Sequence, residues 1–94
     1  MERDSLVFTA IVVEEDDGFS SLCLDLDVAS QGDTPAEAKA ALEEAVVLYL
    51  ETALEEQLPW LRPVPPSADP RFGAPATVVE TYTLRVGLHV QVYA

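Results

Sequence analysis

The chain has 94 residues and a mass of 10.2 kDa, 49% of them apolar and 23% charged. This allows one small two-layer core and excludes a disordered chain. Seventeen Asp and Glu against five Lys and Arg leave a net charge of −12, a field that repels phosphate backbones and anionic membranes and makes a basic protein the natural partner. A single cysteine, Cys23, excludes an internal disulfide and a zinc site of paired thiolates.

Met1 to Ser5 lack the basic and apolar stretches of a secretory signal, and no run approaches the roughly 18 apolar residues of a membrane span. The expectation is a soluble, cytoplasmic protein with one domain over 1–94. Leu6 to Val13, rich in β-branched and aromatic residues and apolar on both faces, predicts a central strand. Glu14-Glu15-Asp16-Asp17-Gly18 ends it in a hairpin turn, and Phe19 to Asp25 predicts the returning strand. Its alternation separates Ser20, Leu22 and Leu24 from Phe19, Ser21 and Cys23. A short third strand over Val28 to Gln31 closes a meander.

Thr34 as N-cap, Pro35 at the first helical position and Glu37 three residues after the cap announce a helix running to about Gln57. At 100° per residue, Ala38, Leu42, Ala45, Val46, Tyr49 and Ala53 share its core face, with Glu37, Glu44, Glu51 and Glu55 opposite. Val47, Leu48 and Leu54 fall outside the core stripe, which suits either an interface or packing beneath the segment that follows. That segment, 58–76, holds six of the seven prolines and predicts an extended connection. Trp60, Leu61 and Phe72 are too apolar for a free linker, so it is expected to lie against the domain. Thr77 to Tyr93 reads as one long strand. Either Gly87 marks a bulge, or the far half, with Leu88, Val90 and Val92, passes beyond its own sheet to pair with another chain. The order β-β-β-α-β, an antiparallel sheet with a helix packed on one face, is α+β.

Catalysis finds little support. His89, the one histidine, has no Ser, Cys or Asp at a telling spacing, and Cys23 reads as a small buried hydrophobe. Metal catalysis of the ribonuclease H type needs carboxylates at strand centres, where the first strand has Thr9, Ala10 and Ile11. No cofactor, metal or enzymatic activity is therefore expected. Glu14, Glu15, Asp16, Asp17, Asp25, Asp27 and Asp33 are either solvated turns or a surface that steers a basic partner.

The apolar first strand, Asp16-Asp17-Gly18-Phe19, Asp25-Leu26-Asp27, Gln31-Gly32-Asp33-Thr34 before Glu37-Ala38, and Leu48-Tyr49-Leu50-Glu51 late in the helix together resemble the HicB-like antitoxin family over residues 6–57. Asp27-Val28 stands where family members commonly have Pro-Gly. The resemblance implies a partial ribonuclease H-like fold lacking the catalytic carboxylates. It also implies a non-catalytic function, binding and neutralising a small basic HicA-type ribonuclease toxin. Many family members add a C-terminal DNA-binding domain; this sequence ends at Ala94 in a strand, so direct nucleic-acid binding is not expected. A homodimer is the first expectation for assembly. The alternative is a stand-alone homodimeric scaffold or small-ligand-binding domain with no toxin. A third reading, a metal-dependent nuclease, requires magnesium or manganese at the acidic turns.

Overall fold

A computed structural model describes residues 5–87. Four strands, β1 (Ser5–Glu15), β2 (Gly18–Cys23), β3 (Val28–Gly32) and β4 (Val78–Gly87), form one antiparallel sheet in the order β3-β2-β1-β4. Helix α1 (Pro35–Glu55) packs on one face, so the fold is α+β. The doubly apolar first strand is central because β2 and β4 flank it and both its faces are covered in part: Phe8, Ala10 and Val12 look toward α1, and Ile11, pointing the other way, is also fully buried. Leu6, Phe8, Ala10, Cys23, Leu84 and Val86 meet Leu42, Val46 and Leu50 of α1 in the core. Ala38 and Ala53 complete the buried stripe of the helix. Leu50 is fully buried, whereas Ala45 and Tyr49 of the expected core face are only half-buried, because the stripe runs at 38, 42, 46, 50, 53.

Both ends of α1 follow from local chemistry. The Thr34 hydroxyl accepts from Glu37 N–H at 3.1 Å, and the Glu37 carboxylate reaches back to Asp33 N–H at 3.0 Å, a capping box displaced by one residue. At the other end Gln57 takes φ 57°, and its N–H and that of Leu58 bond the carbonyls of Leu54 and Ala53. This is a Schellman closure with glutamine where glycine is preferred. Gln57→Gly is accordingly expected to raise stability by about 0.5–1 kcal/mol, read as a higher denaturation midpoint in urea.

The proline-rich segment does lie against the domain, but chiefly through polar contacts. Arg62 and Val64 donate their backbone N–H to the carbonyls of Asp25 and Leu24 at 3.0 and 2.8 Å, continuing the sheet where β2 has ended. Trp60 sets its ring edge-on to Phe8 at 6.2 Å between centroids, and its carbonyl accepts from the Tyr49 hydroxyl at 2.8 Å. Leu61 and Phe72 stay largely exposed, contrary to their expected role as anchors. After a single turn at Pro66–Ala68 and a four-residue helix α2 (Pro70–Gly73), the chain enters β4.

The bulge lies away from Gly87, which pairs in register with Ser5; the shift falls between Val12 and Val13, where β4 carries an additional residue, Val79. The predicted continuation of the last strand to Tyr93, with His89, Leu88, Val90 and Val92, lies outside the described residues.

Candidate functional site

The two-residue turn Asp16-Asp17 carries its carboxylates to the tip of the β1–β2 hairpin. β3 pairs beside it so that Gly32 lies opposite Phe19. Gly18, at φ 152°, brings the position of its missing side chain to 2.8 Å from the Gly32 carbonyl oxygen, a conformation and a closeness that require glycine. The result is an open cleft of about 560 Å³ whose walls include Glu15, Asp16, Asp17, Phe19, Gln31 and Asp33. Four of the seven carboxylates singled out in the sequence therefore share one concave surface. Ser20 Oγ donates to Glu15 Oε1 at 2.6 Å and fixes that wall, while Asp16, Asp17 and Asp33 remain exposed. Glu14 adjoins the neighbouring concavity, shared with Ser67–Pro70 and Gly73–Ala74.

Asp25 and Asp27 sit at the opposite end of β2, six strand residues away, about 20 Å. Their contacts are architectural. Asp25 Oδ2 accepts from Thr9 N–H at 2.7 Å, substituting for the carbonyl a neighbouring strand would supply. Asp27 adopts φ 56° in the turn, and its carbonyl accepts from Arg62 Nη2 at 3.3 Å, beside the 3.1 Å bond from Arg62 Nε to the Leu26 carbonyl. Short acidic side chains tolerate that left-handed conformation better than most.

Of the apolar residues outside the helix stripe, Val47 packs partly against the core, Leu54 is half-buried, and Leu48 is 66% exposed. Leu48 and Leu58 line a further concavity with Ala45, Tyr49, Thr52, Pro59 and Arg62.

Other reactive groups serve the fold. Burial pushes the Cys23 thiol up from its ordinary value, which suppresses the nucleophilic thiolate. Ser21 is fully buried and donates its one hydroxyl proton to the Ile11 carbonyl at 3.0 Å, so the 2.7 Å bond with Tyr82 is donated by the phenol. Burial raises the Tyr82 phenol as well. Lys39 Nζ lies 5.0 Å above the Tyr82 ring and 2.8 Å from Glu80 Oε2. Among the described residues no three His, Cys, Asp or Glu side chains converge as a metal-holding group.

Two residues that organise the proline-rich segment were missed in the sequence, Arg62 and Asp69. Asp69 is 3% exposed, caps α2 through Arg71 N–H at 2.9 Å and is clasped by the Arg71 guanidinium at 2.8–3.2 Å. Asp before Pro is an N-cap signal, and Asp69-Pro70 offered it. Hydrogen bonding to Arg71 holds the Asp69 carboxyl below the usual carboxylate range. A folded pKa below the unfolded one makes the contribution of Asp69 complete above about pH 4, the unfolded value, and lost as pH falls through the folded one. Urea midpoints measured between pH 6 and pH 2 should therefore fall less steeply in Asp69→Asn than in the native chain, and the variant should be about 1–2 kcal/mol less stable at pH 7.

No family model matches the sequence. A curated relative does: the UPF0150 protein ssl0738 of Synechocystis sp. (strain ATCC 27184 / PCC 6803 / Kazusa) is 46% identical over 50 residues, 51% of this chain and 69% of the relative. The chain belongs to the UPF0150 family. Among solved structures, this UPF0150 chain is similar to a chain of the HicA3 and HicB3 toxin-antitoxin complex, with a TM-score of 0.58 and 21% identity over 90% of this chain and 100% of the other. At that identity the likeness is one of fold, and it agrees with the α+β arrangement of four antiparallel strands and one covering helix in this UPF0150 protein.

Proposed function

We propose that this UPF0150 protein acts by binding rather than by catalysis, as a HicB-like antitoxin that captures a small basic ribonuclease of the HicA type and covers its active site. The observation that carries the reading is the convergence of Glu15, Asp16, Asp17 and Asp33 on one exposed cleft, on a fold shared with a chain of a toxin-antitoxin complex. These carboxylates have no cationic partner in the ion pairs formed among the described residues. They are thus free to steer a basic molecule, an effect that raises association rates and weakens with salt. Asp25 and Asp27 lie at the far end of β2 and outside the cleft, and Glu14 extends the acidic surface at the rim.

The test is a tagged pull-down from native lysate of the source organism at low salt and again at 0.5 M salt, with the bound proteins identified by mass spectrometry and then assayed on RNA. The reading expects a small basic ribonuclease retained at low salt and released at high salt. Recovery of the chain alone under both conditions would overturn it.

A second reading, a stand-alone homodimer, is favoured by one observation. β4 lies at the sheet edge among the described residues, and its outer face with that of β1 leaves Val7, Val79, Thr81, Thr83 and Arg85 exposed. An unprotected edge of this length invites pairing. A dimer indifferent to salt, with no second protein, would support it.

A further inference from the structure

Helix α1 presents apolar surface on more than one side. Away from the core, Leu48 is 66% exposed and Leu58, just past the helix, is 54% exposed. Isolated leucines of this kind are common, but these two line one concavity of about 450 Å³. Its other lining residues are Ala45, Tyr49, Thr52, Ala53, Pro59 and Arg62. Small residues between two leucines leave a hole of the sort that receives a knob. A second open concavity of about 540 Å³ shares Leu48 and is flanked by Glu43, Glu44 and Glu51. On the helix surface Glu44 and Glu51 stand four residues before and three after Leu48, so they border it along one ridge. The cation lining the groove, Arg62, is turned to the carbonyls of Leu26 and Asp27 and lies over the Tyr49 ring at 5.1 Å.

We infer that the groove between α1 and Leu58–Arg62 seats a basic amphipathic helix of a partner protein, its apolar face on Leu48 and Leu58 and its cations toward Glu43, Glu44 and Glu51. A strand is the poorer occupant, because the helical wall has its backbone groups bonded within α1, and along the other wall the Leu58 and Arg62 N–H groups and the Trp60 carbonyl are already bonded while Pro59 has no N–H, which leaves no regular ladder. The partner must therefore engage by side chains, the helix-in-groove mode. An acidic helix would meet three carboxylates at the rim, and a second copy of this −12 chain would bring more of the same charge. The inference rests on the binding reading above for the existence of a partner, and adds where and by what kind of element that partner docks.

The probe is an 18-residue synthetic peptide with leucines at helical spacing i, i+3, i+4, i+7 and lysines elsewhere, compared with a scrambled peptide of the same composition. Backbone amide shifts of the full chain are followed by NMR during titration. Expected are saturable shifts centred on Ala45, Leu48, Thr52 and Leu58, and at least about tenfold weaker binding in Leu48→Gln or Leu58→Gln, the loss of one buried leucine. The scrambled peptide should bind about as weakly as those variants bind the amphipathic one. Both substituted side chains are exposed, so the variants keep the fold, which the unperturbed core amides verify. Shifts centred on Asp16, Asp17 and Asp33, or equal binding of the scrambled peptide, would overturn the inference by showing attraction of bulk charge alone. Failure here is separable from failure of the binding reading: a ribonuclease captured and inhibited equally well by Leu48→Gln would sink the groove and leave the antitoxin standing.

Discussion

Replacing Asp16, Asp17 and Asp33 together by asparagine is expected to slow association with the proposed basic partner about tenfold at low salt, with little change in the dissociation rate. The three carboxylates are exposed, lie on one cleft, and form no ion pair with a cation in the described residues. Their contribution is therefore long-range attraction before contact, which acts on encounter rather than on the lifetime of the complex. Screening tests the same physics: as the Debye length shrinks from about 10 Å at 0.1 M to about 3 Å at 1 M salt, the native chain and the triple variant should converge. Stopped-flow association rates across that range check both statements. Asp25→Asn should behave differently, because its oxygen is committed to Thr9 N–H. That change keeps an acceptor for the Thr9 N–H but weakens the bond by removing its charge, so it should lower stability slightly and leave the salt dependence of association intact.

Gly32→Ala is the substitution expected to harm the fold most among those at the cleft. A methyl group there would stand 2.5 Å from Ala38 N and 2.7 Å from two Glu37 atoms, and two of those three atoms are backbone in the first turn of α1. The helix start cannot retreat without breaking the Thr34 and Glu37 cap, so the strain falls on the β3–α1 junction that places Asp33 in the cleft. A loss of about 3 kcal/mol is expected, or roughly 12–24 °C in thermal midpoint for a chain of this size. Gly73→Ala is the control: nothing lies within 4 Å of its added methyl group, and its stability should change by less than about 0.5 kcal/mol. Calorimetry of the two variants against the native chain decides the matter, and equal midpoints would contradict this account of the junction.

Much of this architecture was legible from residue patterns. The doubly apolar run around Thr9 marked a central strand, Asp17-Gly18 a tight turn, and Thr34-Pro35 with Glu37 a helix start, because each signal is local and has one dominant physical cause. Composition revealed less about features made between distant segments. Gly87 drew the bulge prediction since glycine is the usual marker, yet the extra residue is Val79, set by how β4 registers on β1. Leu61 and Phe72 looked like anchors by hydrophobicity, but of the three apolar residues only Trp60 packs on the core, and the proline-rich segment is otherwise held by Arg62 and Val64 through bonds to backbone carbonyls that no apolar pattern encodes. The site divided in the same way. Glu15, Asp16 and Asp17 are neighbours in sequence, and Asp33 joins them only because β3 returns alongside the hairpin. Asp25 and Asp27 look equally acidic in the sequence, yet both lie at the far end of β2, where the Asp25 carboxylate bonds the Thr9 N–H and Asp27 takes a left-handed turn conformation.

The central claim, that this UPF0150 protein neutralises a basic ribonuclease by covering it, is tested most directly by titrating the purified chain into the ribonuclease recovered at low salt and following RNA cleavage. The account predicts that cleavage falls to background at stoichiometric addition and returns when salt dissociates the complex. Undiminished cleavage in the presence of a formed complex would contradict it.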